Sequence, residues 1–239
     1  MPETIDIKSA RPTVPIPVRA PLAKLAAGAR PHGLTSGELV KLHHSLVSIC
    51  DTDRGIIAQF VAPEPETAAR DVVYDLAYMS AAWLGRRVLF VDGTGMRAES
   101  DDAVPQRWEP RPGFTELLRE AENTITRVVG LDLYQMTLPS MRGALELAPT
   151  LRRIPEFMTR LREGFDLVLI SSPPASEAPM GVLLSPFVDG NVLVLGAGHT
   201  RVPVALELRD SLQTSGGTVI GAVLTGYHSF IPRFLRRWL

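Results

Sequence analysis

The chain has 239 residues, 45% of them hydrophobic and 21% charged, with 25 basic against 26 acidic side chains and a formal net charge of −1. A length of this order holds one sizeable core, and the near-neutral balance gives no overall attraction to nucleic acid, which is excluded as a partner on this reading. Cys50 is the single cysteine, so an intrachain disulfide and a paired-cysteine metal or redox site are excluded, in keeping with a reducing, cytoplasmic setting.

Residues 1–33 carry Pro2, Pro12, Pro15, Pro17, Pro21 and Pro31 among few large apolar side chains, a composition that predicts a flexible tail ahead of a single domain over 34–239. The opening MPETIDIKSARP has no apolar core of the kind a secretory leader needs, and no apolar run reaches the ~18 residues that span a bilayer, so any membrane contact is expected to be peripheral.

From Leu34 the pattern becomes regular. LTSGELVKLHHSLVSI (34–49) places Leu39, Leu42, Leu46 and Ile49 at helical spacing behind a Thr35 or Ser36 cap. GIIAQFV (55–61) and RVLFVD (87–92) read as buried strands around a helix over 67–84 whose inner face is Val72, Val73, Leu76 and Ser80. Thr67 is expected to cap that helix. Past a Pro- and Gly-rich loop, 114–129 is predicted helical, 131–138 a strand, and 143–164 helical with an interruption near Pro155. FDLVLIS (165–171), NVLVLG (191–196) and TVIGAVLT (218–225) complete the strands, with a helix over 202–216. Strands separated by helices predict a doubly wound α/β fold, a mostly parallel sheet with helices on both faces.

Between the first strand and its helix lies APEPETAARD (62–71), the place where a nucleotide-binding α/β protein carries a glycine-rich phosphate loop. Glycines let consecutive N–H groups face phosphate, a lysine neutralises the charge and a hydroxyl holds magnesium. This stretch has no glycine and no lysine, and Pro63 and Pro65 have no N–H to give.

Several ordered segments resemble the bacterial tyrosine kinases and kinase-like subunits of polysaccharide export, P-loop proteins of the class that includes the septum-placing and partition ATPases. GRRVLFVDGTG (85–95) is similar to the family's second Walker-type strand, PGFTELL (112–118) to the segment after it, and GFDLVLISSPP (164–174) to its Asp-Ser/Thr-Pro-Pro stretch. VDGNVLVLGAGHTRVPVALE (188–207) and VIGAVLTGYHSFIPRFLRRWL (219–239) are similar to its closing pattern.

The resemblance implies a three-layer P-loop fold and assigns roles residue by residue. With the loop proline on Pro65, the two glycines become Glu66 and Ala68, the lysine becomes Ala69, and the magnesium-binding hydroxyl becomes Arg70. Asp92 keeps the first Walker aspartate, Thr94 replaces the second, Ser171 replaces the metal-handling aspartate, and Thr225 replaces a base-reading asparagine. The tyrosine-rich acceptor tail is not found before Leu239.

These departures imply a kinase-like protein with no catalytic residues, no metal and no cofactor, acting as an accessory subunit at the inner-membrane face. Its implied partner is the membrane co-polymerase of an exopolysaccharide export system of capsule or holdfast type. Two alternatives stay open: an unconventional enzyme binding ATP or ADP with magnesium through Arg70 and Asp92, and a positioning protein of the partition type. Glu38, Lys41 and His44 take the spacing of the family's Glu-x-x-Arg-x-x-Arg assembly helix, which implies a homo-oligomer. Phe234, Arg236, Arg237 and Trp238 give the last segment a basic-aromatic character suited to a partner groove or a membrane surface.

Other motifs are weaker. GAGHTR (196–201) begins like a dinucleotide fingerprint but has Arg201 at the third glycine. Ser171–Ser172 lacks a nucleophile-elbow frame, and His43–His44 are adjacent on a helix and do not share a metal-binding face.

Overall fold

A computed structural model describes residues 34–50, 54–67, 69–93, 125–128, 130–137 and 154–226, except the side chains of Glu66 and Thr126. The segment 1–33, Ala68, Thr94, the loop and helix expected within 94–124, residues 143–153, and Phe234, Arg236, Arg237 and Trp238 lie outside the described residues.

Seven strands form one sheet in the order β3-β4-β2-β5-β1-β6-β7. They are β1 (Ile56–Val61), β2 (Val88–Asp92), β3 (Thr126–Arg127), β4 (Leu133–Thr137), β5 (Leu167–Ser171), β6 (Gly190–Gly196) and β7 (Val219–Thr225). All pairings are parallel except β3 with β4. The central strands β1, β2 and β5 are buried along their whole length, as continuous apolar runs covered on both faces must be.

Among the described residues five α-helices cover the sheet: α1 (Ser36–Cys50), α2 (Ala69–Leu84), α3 (Ile154–Gly164), α4 (Met180–Leu184) and α5 (Val202–Thr214). Alternation along β1 sorts the layers. Ile56, Ala58 and Phe60 join Leu39 and Leu46 of α1 and Val72, Val73 and Leu76 of α2. Ile57, from the other face of β1, meets Phe157 and Leu161 of α3 and Met180 of α4, while Val61 meets Leu208 and Leu212 of α5. This is the expected doubly wound, three-layer arrangement.

Two sequence expectations need correction. The helix predicted through 129 gives way to β3 at Thr126–Arg127, where a turn at Gly130 (φ +80°) returns the chain into β4 and Val128 N–H donates to Leu133 O at 2.8 Å. The β-branched run Thr124–Ile125–Thr126 with Val128–Val129 favours a strand there. On α1 the buried stripe is Leu39, His43, Leu46 and Cys50, leaving Ile49 55% exposed, because α1 packs on α2 through the His43 side. Of the helical stretch expected over 143–164, the described part is α3, which starts at Ile154 with Pro155 in its first turn, where its missing N–H costs no intrahelical bond.

Candidate functional site

The carboxyl ends of β1, β2, β5, β6 and β7 gather the positions singled out in the sequence. At the exit of β1 the chain turns through a 3-10 segment, Pro65–Thr67, and enters α2 at Ala69. Thr67 does not serve as the expected cap with its hydroxyl free; Oγ1 donates to Glu64 O at 3.1 Å, closing its own short turn.

This turn is tied down from two sides. Ala175 and Ser176 donate their N–H groups to Ala62 O and Pro63 O at 2.9 and 3.1 Å, and Thr225 Oγ1 donates to Thr67 O at 2.9 Å from the end of β7. The same Thr225 hydroxyl lies 3.2 Å from Leu195 O. The end of β6 lies alongside: a methyl group on Gly196 would meet Thr67 Cγ2 at an ordinary contact distance, 3.6 Å.

From the first turn of α2, Arg70 reaches the end of β2. Its Nε donates to Asp92 Oδ2 at 2.6 Å, and the guanidinium lies 5.9 Å from the centre of the Phe90 ring. Asp92 is 11% exposed at its side chain and Arg70 51%, so the pair is a half-sheltered one in which the carboxylate is the more desolvated partner. Arg70 also stands 3.8 Å from Asp71.

Next to Asp92 in the sheet register is Ser171 of β5. Ser171 and Ser172 are 0% and 1% exposed, and among the described residues neither hydroxyl has a hydrogen-bond partner, so no base stands beside either. Gly93 N–H donates to Ser171 O at 2.8 Å, and a methyl group on Gly93 would lie 2.8 Å from that same oxygen. The exits of β2 and β5 are therefore in close contact where an aspartate at position 171 would have projected.

Thus Glu66, Ala69, Arg70, Asp92, Ser171 and Thr225 come together at one end of the sheet, with Glu66 placed by its backbone. The GAGHTR segment joins them as the turn between β6 and α5: Thr200 Oγ1 accepts from Gly196 N–H at 3.0 Å, and Gly198 takes φ +76°.

Glu38, Lys41 and His44 lie apart from this end, exposed on α1. Glu38 is engaged locally. Its carboxylate accepts from Thr35 N–H and Thr35 Oγ1, both at 2.7 Å, while Thr35 Oγ1 receives Glu38 N–H at 3.4 Å, a capping box. Those bonds from Thr35 hold the Glu38 carboxyl below its usual value. His44 Nδ1 lies 2.9 Å from Ser48 Oγ. His43 is a core residue: Nδ1 lies 2.9 Å from Ser80 Oγ, whose own proton goes to Leu76 O at 2.7 Å, so Nδ1–H of His43 is the donor to Ser80. Burial, with Arg86 and His44 nearby, lowers its pKa.

The sequence reading passed over the opposite end of the sheet. There a cavity of about 850 Å³ opens between the last turns of α1, α2 and α3, lined by Arg54, Arg86, Arg87 and Arg162 among others. Beside it α2 ends in Trp83 and Leu84, 38% and 42% exposed. The signal in the sequence was WLGRR (83–87), an aromatic-aliphatic pair followed by a glycine and two arginines where a helix stops.

No family model matches the chain. It is 29% identical over 63 residues to the tyrosine-protein kinase YwqD of Bacillus subtilis, a match spanning 26% of this chain and 27% of that protein. Its fold is that of the kinase domain of the Escherichia coli tyrosine kinase ETK, with a TM-score of 0.66 at 18% identity over 91% of this chain and 84% of that one. The septum site-determining protein MinD of Pyrococcus horikoshii, whose structure contains Mg-ADP, superimposes with a TM-score of 0.50 at 19% identity over 71% of this chain and 70% of that one. The chain therefore resembles bacterial tyrosine kinases in a short stretch of sequence and shares their P-loop-type fold with MinD.

Proposed function

We propose that this chain is a kinase-like protein without phosphoryl-transfer activity that serves exopolysaccharide synthesis and export as an accessory subunit docked on an inner-membrane co-polymerase. The polysaccharide context follows from the ordered sequence resemblance to export-system kinases, joined now by the YwqD match and the ETK-like fold. The chemistry of the site supports the inactivity.

The observation that carries it is the Arg70–Asp92 pair. Catalysis of phosphoryl transfer depends on divalent metal to offset charge on the transferring group. At the position where a hydroxyl would hold that metal stands a guanidinium, already bonded to the acidic group that would attract it. Ser171 offers a buried hydroxyl in place of a second carboxylate. Pro65 lacks an N–H, and the turn that would open around phosphates is bonded to Thr225 and to the 175–176 backbone. A magnesium–nucleotide group does not suit this donor set, and no reaction step is assigned to it.

Titration calorimetry of the purified chain with ATP and with ADP, each with magnesium, tests the inactivity. No heat is expected. Micromolar magnesium-dependent binding would overturn it and point to an unconventional enzyme using Arg70 and Asp92. Docking is tested separately by pull-down with the cytoplasmic segments of a co-polymerase from the same genome, where failure to associate removes the accessory-subunit reading without touching the question of nucleotide.

A further inference from the structure

We infer that the amino end of the sheet is a contact surface for an anionic lipid bilayer, made by the turn Trp83–Arg87 at the end of α2 with Ile49 and Arg54 beside it. This goes beyond the accessory role proposed above and does not rest on it. Apolar side chains exposed singly are ordinary, whereas apolar side chains grouped together and rimmed by polar or charged ones mark contact surfaces. Trp83, Leu84 and Ile49 are 38%, 42% and 55% exposed and belong to the last turns of α2 and α1, helices that pack on each other and end on the same side of the molecule. Gly85 (φ +62°) turns the chain sharply out of α2, so the aromatic-aliphatic pair and the two arginines form one projecting corner.

The charge at this corner favours lipid phosphate. Arg86 is exposed and Arg87 half-buried, and among the described residues neither is paired with a carboxylate. The acids nearby are mostly engaged: Asp132 is held by Arg127 at 2.6 Å, Asp166 accepts Arg87 N–H at 2.9 Å, and Asp189 is paired with Arg162, with Glu163 across the cavity.

A small phosphate drawn inside the cavity would meet Glu163, Asp166 and three helix carboxyl ends, all of negative sign. At the rim the arginines reach outward while Trp83 and Leu84 enter the headgroup layer, the division of labour that amphipathic side chains adopt at an interface. Three apolar side chains fall well short of the ~800 Å² per partner of a standard protein interface, whereas a bilayer demands no matching shape.

Sedimentation of the full chain with vesicles tests this, using phosphatidylcholine alone and phosphatidylcholine with about a third phosphatidylglycerol. Binding to the anionic vesicles only is expected. It should fall about tenfold or more in Arg86→Glu/Arg87→Glu and severalfold in Trp83→Ser/Leu84→Ser, both folded by circular dichroism. Inorganic phosphate at equal ionic strength should compete no better than chloride. The inference is overturned if anionic vesicles do not bind the chain, if both corner variants bind undiminished, if phosphate alone displaces the chain as a free-anion pocket would require, or if only Arg236→Glu/Arg237→Glu/Trp238→Ser abolishes binding.

Discussion

The two ends of one sheet follow opposite rules. At the carboxyl end, polar groups that a nucleotide would have engaged are bonded to one another: Arg70 to Asp92, Thr225 to Thr67, and Gly93 to Ser171. At the amino end, Trp83, Leu84 and Arg86 are left facing water. A parallel α/β fold ordinarily keeps its ligand at the carboxyl edge, where the strands hand over to helix amino ends. In this chain the ordinary ligand edge has several of its polar groups bonded to one another, while among the described residues Ser171 and Ser172 stay unpaired inside it. The other edge carries an exposed aromatic beside arginines unpaired among those residues, so fold likeness alone does not say which end does the work.

The largest expected effect strikes the amino end. Gly55→Ala would place a methyl group 2.0 Å from Phe165 O and 2.6 Å from Arg162 O, backbone atoms that cannot step aside. A loss of about 3 kcal/mol or more is expected in urea unfolding, enough to prevent accumulation of folded protein. A variant of near-native stability would mean that the packing of β1 against the end of α3 is looser than these distances allow.

At the carboxyl end, Arg70→Ala removes the cation beside a desolvated carboxylate, and about 1–2 kcal/mol of stability should go with it, discounted for the half-exposed arginine. If added magnesium then restores the melting temperature of the variant, the carboxylate has regained a metal role and the carboxyl end keeps a ligand site after all. Thr225→Val, similar in shape but without the hydroxyl, should cost about 1 kcal/mol. No change on that substitution would show that the turn at 65–67 is held without β7.

His43 gives a pH test of the α1–α2 contact. Its pKa is lowered in the folded state, so the unfolded chain takes up a proton first, at its ordinary value of 6.5, and stability falls as pH drops below that value. The native chain should lose melting temperature between pH 7 and 5, and His43→Gln should flatten that slope. An unchanged slope would assign the acid sensitivity elsewhere. The smallest effect belongs to Thr35→Ala, about 0.5–1 kcal/mol from loss of the capping box, read by the same unfolding curves.

Much of the fold was legible because its signals are local. Six strands were predicted to within a residue or two, since continuous apolar runs such as IIAQFV and LVLIS have few alternatives in a protein of this length. β3 was lost because two residues carry no period of their own and become a strand only through β4. The short helix α4 escaped for the same reason: five residues of MGVLL hold too little periodicity, and Gln59 Nε2 donating to Gly181 O at 2.6 Å is a contact no window of sequence reveals.

The candidate site was legible as a set of positions, since alignment with a phosphate-loop frame needs only order and spacing. That Arg70 and Asp92 bond to each other, and that Thr225 reaches Thr67 across 158 positions of sequence, depends on tertiary geometry and was not. The corner at Trp83–Arg87 was missed for a different reason: it matches no motif, and exposure is a property of the folded surface.

The placement of β1 at the centre of the sheet has a consequence for how the protein is made. Among the described strands β1 leaves the ribosome first, yet both its neighbours, β5 and β6, come more than a hundred residues later. At ordinary synthesis rates of roughly 5–20 residues per second, an apolar strand with two open edges waits for several seconds or more beside a growing chain. Nascent chains ending before Leu167 would therefore be held by chaperones or degraded, and a truncated gene product would be visible mainly by its absence.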